Sequence, residues 1–239
     1  MEFYLIKVTF KAMKIEHVFF DLDHTLWDFE KNSDLAFQKI FTEQNITIDI
    51  DSFLYVYKPL NREFWRLYRE EKISKEDLKY QRLKTAFDKI NFSVSDTLIN
   101  KIAIDYIDYL PHFNHLFNYT FDILDYLKEK YRLHIITNGF EEIQTKKMKS
   151  SNILNYFENV ITSESVGVKK PNPKVFHHAL KLANATANSS IMIGDSIEAD
   201  IKGALNIGME VLHCNFENEM IQTKEFNSIK SLIEIKQYL

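Results

Sequence analysis

Five short apolar runs constrain this chain more than any other feature. His17–Phe20, Leu133–Ile136, Val160–Ile161, Ile191–Ile193 and Val211–His213 are continuous rather than alternating. They therefore read as strands buried on both faces, as in a parallel sheet covered by helices. From residue 119 onward the runs alternate with helical patterns. Thr120–Lys130 lines up Phe121, Leu124 and Leu127, and Pro173–Ala183 lines up Phe176, Ala179, Leu180 and Ala183, with prolines at its entry, where a helix tolerates them. This alternation predicts a three-layer α/β fold, Rossmann-like in its parallel sheet.

Residues 31–110 break the rhythm. Lys31–Gln44, Asp51–Glu70, Ser74–Ile90 and Ser95–Leu110 read as helices, with Leu60, Phe64 and Leu67 forming one apolar stripe and Ile99, Ile102, Tyr106 and Tyr109 another. The expected organisation is an α/β core, residues 13–28 and 112–239, split after its first strand by a helical insert over residues 29–111. Ser228–Leu239 reads as a terminal helix docking on the core. The segment MEFYLIKVTFKA lacks the basic start and small-residue cleavage site of a signal peptide. With Met13 offering a second start, residues 1–12 read as a dispensable extension.

Composition removes several classes of function. Lys and Arg number 30 against 34 Asp and Glu, a net charge of −4 with no basic block, which argues against a nucleic-acid binder. The single cysteine, Cys214, rules out an internal disulfide and any multi-cysteine metal site, and fits a reducing, cytoplasmic compartment. No apolar run approaches the roughly 18 residues expected of a membrane span.

Ligands of open parallel sheets bind beyond the carboxyl ends of the strands, so the residues after each run matter most. After the first comes DLDHTL, with Asp21, Asp23 and Thr25; after the second TNG, with Thr137 and Asn138; beyond the third GVKKPNP, with Lys169 and Lys170; after the fourth GDSIEAD, with Asp195 and Asp200. Carboxylates, hydroxyl and amide donors and a lysine converge on one edge. Hard carboxylate oxygens suit Mg²⁺, which is usually held by one or two carboxylates with substrate phosphate and water. A carboxylate can also attack phosphorus, and phosphoryl transfer then needs chiefly positioning and charge neutralisation. Asp21 and Asp23, two positions apart, can share a site only if the chain turns just past the strand.

DLDHTL, ITNG, KKPNPKVF and GDSIEADIKGA resemble, in this order, the four motifs of the haloacid dehalogenase (HAD) superfamily, over the chain from Met13 on. The insert resembles that superfamily's C1 cap. The resemblance implies that Asp21 is nucleophile and Mg²⁺ ligand, and that Asp23 is the general acid/base, with its backbone carbonyl on the metal. It implies that Thr137 and Asn138 bind the phosphoryl group, Lys170 pairs with nucleophile and phosphate, Asp195 completes the metal site and Asp200 supports it. Lys169 remains the alternative to Lys170. Dehalogenases proper lack an acid two residues beyond the nucleophile, so Asp23 disfavours 2-haloacid chemistry. Lys58, Lys72 and Lys75 lie in the insert without the context of a Schiff-base lysine.

DLDHTLWDFEKN followed by a helical insert is similar to the bacterial pyrimidine 5′-nucleotidases, including those acting on non-canonical pyrimidine nucleotides. The resemblance thus implies a Mg²⁺-dependent phosphomonoester hydrolase working through an aspartyl-phosphate on a pyrimidine nucleoside 5′-monophosphate, as monomer or homodimer. A sugar-phosphate phosphatase or phosphomutase and a non-catalytic phosphate-binding module are the alternatives. Trp27 and Phe29 are expected under the insert, where a ring could stack on a base. His24 is expected to point away. Arg62, Arg66 and Arg69 share a helical face, which charge patterning reads as solvated and paired with Glu63 and Glu70 rather than facing substrate. Trp65 and Tyr68 read as core of the insert, Cys214 as a small buried apolar residue, and His177 and His178 as structural or surface residues. An acid such as Asp200 is also at home in a first helical turn.

Overall fold

Six parallel strands form one sheet: β1 (His17–Phe20), β2 (Arg132–Thr137), β3 (Asn159–Thr162), β4 (Ser190–Gly194), β5 (Glu210–Cys214) and β6 (Asn227–Ile229), in spatial order β3-β2-β1-β4-β5-β6. The computed structural model describes residues 14–217, 220, 223 and 225–239, so the expected extension 1–12 and the start at Met13 lie outside the described residues. His17 lies opposite both Arg132 and Ser190, and Phe20 opposite Ile135 and Ile193. β1 and β4 form the middle of the sheet, and every residue of both is buried. The chain leaves β1 toward β2 and returns on its other side at β4, so the order reverses beside β1 and opens a crevice there.

Side-chain alternation along the strands divides the core. Phe19, Ile136, Ile161, Met192 and Val211 pack on one face with Phe176, Ala179 and Ala183 of a helix over Pro173–Ala183. Val18, Phe20, Ile135 and Ile193 face the other way, toward Leu124 and Leu127 of the Thr120–Lys128 helix. Ile123 is buried there, whereas Phe121 is exposed.

The helical insert contains α1 (Phe29–Glu43), α2 (Ile50–Arg69), α3 (Lys75–Lys89) and α4 (Asp96–Tyr109), each within a residue or two of its sequence-based limits. Asp28, Asp49, Ser74 and Ser95 cap their N-termini by accepting backbone N–H bonds. Phe37, Phe53, Tyr57 and Tyr106 form a ring cluster at its centre. The two connections to the core pair with each other: Asp28 N–H donates to the His115 carbonyl at 3.1 Å and Phe117 N–H to that of Leu26 at 3.0 Å. Buried Asn32 seals this junction, donating to the carbonyls of Asp28 and His115 and accepting from the His115 N–H.

The expected terminal helix is absent. Ser228 instead pairs with His213 in the sheet, and Leu232–Gln237 forms a 3₁₀ turn. Ile229, Leu232 and Ile235 are all buried. Their three-residue spacing fits a 3₁₀ period, in which i and i+3 eclipse, rather than 3.6.

Candidate active site

Past β1 the backbone turns, as the Asp21–Asp23 spacing requires. Leu22, fully buried, anchors the turn, and its carbonyl accepts N–H bonds from Leu26 at 3.0 Å and Trp27 at 2.9 Å. His24 adopts φ +64° within it. Asp21 and Asp23 therefore both reach a cavity of about 470 Å³ between the sheet edge and the insert. Its floor includes Thr137, Asn138, Lys170, Asp195 and Asp200, so the sequence-predicted residues meet in one place.

Lys170 is the hub. It is 1 % exposed, and its Nζ donates to Asp21 Oδ1 at 2.7 Å, Asp200 Oδ1 at 2.6 Å and the Ile136 carbonyl at 2.6 Å. Burial alone would depress this ammonium, but the Asp200 and Asp21 carboxylates outweigh it and hold the group above its ordinary value. Lys169 instead lies over the Tyr68 ring, so the geometry separates the two lysines. The buried Asp200 also accepts the Ser196 N–H, from a π-wound turn over Ile197–Lys202. A Cβ on Gly194 would overlap its carboxylate, so the strand end needs glycine for Asp200 to lie across it.

Asp21, Asp195 and Asp200 bring carboxylate oxygens within 4.8 Å of one another. Burial raises Asp21 well above the usual carboxylate range against the pull of Lys170, with Asp200 and Asp195 adding to the rise; burial and Asp200 push Asp195 up to about 8. Three hard-oxygen acids facing one ammonium leave negative charge uncompensated, which is the donor set a Mg²⁺ ion fits. Thr25 Oγ1 donates to Asp195 Oδ1 at 3.3 Å, and His213 Nε2 lies 2.8 Å from the Asp195 carbonyl.

Around Asp23 the structure adds two residues that sequence reasoning missed. Lys147, 1 % exposed, donates to Asp23 Oδ1 at 2.8 Å and Oδ2 at 3.0 Å, and lies over the Trp27 ring. Gln144 Nε2 donates to Asp23 Oδ2 at 3.0 Å and to Thr137 Oγ1 at 2.7 Å. Both sit on a helix over Glu141–Ser150 whose buried face comprises Ile143, Gln144, Lys147 and Met148. A lysine and a glutamine within an inward stripe were the available signal. The Thr137 hydroxyl also accepts the Gly139 N–H, so its own proton is left to donate. The Asn138 side chain clamps the Lys170 backbone, donating to its carbonyl at 3.0 Å and accepting its N–H at 2.8 Å, and it also lines the cavity, with one amide N–H not used by these bonds.

Four expectations are corrected. Trp27 is fully buried and donates from Nε1 to Ser151 Oγ, because its indole forms the platform for Lys147; Phe29 reaches the cavity instead. His24 also lines the cavity, its ring packed on Phe29. The arginine stripe divides: Arg66 pairs with Glu63 and Glu70, Arg62 reaches Glu217 across the cavity mouth, and Arg69 lines the cavity, as does half-buried Trp65. Tyr68 and Cys214 are buried, as expected.

A sheet that reverses at β1, a helical insert above it and an acid–lysine cluster at the strand ends define a class, and the chain belongs to it: residues 15–208 match the haloacid dehalogenase-like hydrolase family. The chain is 32% identical over 206 residues to the pyrimidine 5′-nucleotidase PynA of Streptococcus pneumoniae, covering 85% of each chain. It is 32% identical over 208 residues to a glyceraldehyde 3-phosphate phosphatase of Methanothermobacter thermautotrophicus, covering 85% of this chain and 87% of that one. The crystal structure of the HAD-hydrolase YfnB from Bacillus subtilis, bound to magnesium, superposes with TM-score 0.84 at 26% identity, covering 94% of this chain and 98% of that one. Among the described residues, no helix is long and apolar enough to cross a membrane.

Proposed function

We propose that this protein is a Mg²⁺-dependent phosphomonoesterase whose preferred substrates are pyrimidine nucleoside 5′-monophosphates, acting in a reducing, cytoplasmic compartment. The observation that carries the chemistry is the buried Lys170 bridging Asp21 and Asp200, with Asp195 facing them. In this reading an Asp21 carboxylate oxygen attacks phosphorus while the bond to the leaving oxygen breaks. The Asp23 carboxyl gives its proton to that oxygen, then takes one from the water that cleaves the aspartyl-phosphate. Lys170 neutralises charge, and the Thr137 hydroxyl donates to a phosphoryl oxygen. Mg²⁺, held by Asp21, Asp195 and the Asp23 backbone carbonyl with Asp200 in support, would supply charge neutralisation at the phosphoryl group. Residues 29–111 form a cap over a core made of 13–28 and 112–239, keeping water from the bound substrate.

The nucleotide preference is supported by similarity to PynA and by a cavity large enough for a small nucleotide, with aromatic and donor groups on the cap side. The likeness to glyceraldehyde 3-phosphate phosphatases favours a second reading, a triose or sugar phosphate. Phosphate release with and without Mg²⁺ over UMP, dTMP, CMP, glyceraldehyde 3-phosphate and 2-haloacids separates them. UMP or dTMP turnover abolished in Asp21→Asn is the expected result. Turnover of triose phosphate alone would retain the phosphatase and reject the nucleotidase.

A further inference from the structure

The cap contains a buried cation that no carboxylate among the described residues neutralises. Arg82 is 2 % exposed, and its guanidinium lies 5.1 Å from the Tyr106 ring centroid and 5.9 Å from that of Tyr57. Among the described residues no carboxylate pairs with it, and its Nε has no partner. Burying a charge this way is costly. Its shortest hydrogen bond among the described residues goes to Asn61, 5 % exposed, whose Oδ1 takes the Arg82 Nη1–H at 2.7 Å and the Tyr57 hydroxyl at 3.4 Å, while the Tyr57 oxygen also feels the Arg82 N–H groups.

This arrangement fixes which way the Asn61 amide points. A guanidinium can only donate, so the atom facing Arg82 must be the carbonyl oxygen. The NH₂ end is then left over. Both hydrogen bonds of the Asn61 side chain among the described residues are at Oδ1, and Asn61 lines the active-site cavity. Trp65 and Arg69 follow at i+4 and i+8 on α2 and line the same cavity. Among the described residues, neither the indole N–H of Trp65 nor the guanidinium of Arg69 is hydrogen-bonded or ion-paired. Every polar group that this stripe presents is therefore a donor.

We propose that Asn61 is a specificity-determining residue and Arg82 its positioning residue: the locked amide donates to a keto oxygen on the substrate's ring, selecting uracil or thymine over cytosine. Cytosine offers an amino group at the position where the others carry O4, and would set donor against donor. This deepens the nucleotide reading above and rests on it.

The test is kcat/KM for UMP, CMP and p-nitrophenyl phosphate in the full-length protein with Mg²⁺, and the Kd of UMP and CMP on the Asp21→Asn background. The unmodified protein is expected to favour UMP over CMP by at least tenfold. Asn61→Asp keeps a partner for Arg82 but presents an acceptor, and is expected to bring that ratio to unity or below, with a smaller change in p-nitrophenyl phosphate turnover than in UMP turnover. Arg82→Met frees the amide to flip and is expected to shrink the ratio, with Arg82→Lys restoring part of it. A UMP:CMP ratio that is unity in the unmodified protein, or unmoved by Asn61→Asp, overturns the inference alone. Hydrolysis of glyceraldehyde 3-phosphate with neither turnover nor binding of any nucleotide overturns it together with the nucleotide reading, leaving the phosphatase chemistry intact.

Discussion

Lys147 occupies a position where an amphipathic helix ordinarily places a leucine. Burial depresses its ammonium below the ordinary lysine value while the Asp23 carboxylate opposes that shift. With Gln144 it holds both oxygens of Asp23 in one orientation, so the proposed acid/base is aimed by a helix remote in sequence. Replacing Lys147 by Met is expected to lower kcat on UMP by about 100-fold with a small change in KM, the lower end of what a positioned general acid contributes. p-Nitrophenyl phosphate should suffer less, because its leaving group departs without a proton. Steady-state kinetics on both substrates decides it, and equal losses on both would argue for a general structural defect. The motif residues themselves were legible, since Asp21, Asp23, Thr137, Lys170 and Asp195 each follow a recognisable strand. Lys147 was not, because its partner is set by how the helix docks in the assembled core, where its strongest packing is on the Leu110–His112 turn that ends the insert.

Within the elements, the end of β4 shows how backbone geometry serves the site. Gly194 admits the Asp200 carboxylate where any side chain would collide with it. Gly194→Ala is expected to destabilise the fold by about 2 kcal/mol, an overpacking cost, and to displace Asp200 from Lys170. Urea denaturation and phosphate release would read the two effects; an unchanged midpoint would show that the carboxylate moves freely. The four cap helices were legible because capping residues and 3.6-residue stripes agree on them. The C-terminal segment was not, because its apolar residues fit two periods and β5 offered a free edge that only the assembled sheet reveals.

For the whole molecule, two linked equilibria follow from buried charge. The crowded acids predict that Mg²⁺ stabilises the folded protein, by about 2.7 kcal/mol at a hundredfold excess over Kd. Thermal melts should show the shift, and Asp195→Asn should remove most of it. At the opposite end of the sheet, His17 Nδ1 and His134 Nε2 lie 3.1 Å apart and Asn159 Nδ2 lies 3.0 Å from His134 Nδ1. With the amide donating to His134 Nδ1, the Nε2–H of His134 donates to His17. Burial, with His17 adding, holds the His134 ring down at about 4. The unfolded chain takes up this proton near pH 6.5 and the folded one only near 4. Stability is therefore complete above about pH 6.5 and falls as pH drops toward 4, by about 3 kcal/mol from this group. Urea titrations across that range should show the slope, and His134→Gln should flatten it.

The primary structure by itself determined five of the six strands, the place of the helical insert and the edge where the motif residues gather, because apolar periodicity and strand-end position are local properties. Tertiary structure alone decided that Trp27 serves as a platform beneath Lys147, that Asn138 clamps the Lys170 backbone, and that Arg62, Arg66 and Arg69 have different surroundings despite sharing a helix. Those outcomes depend on which surface meets each side chain once the insert closes over the core, and residue spacing carries no record of that.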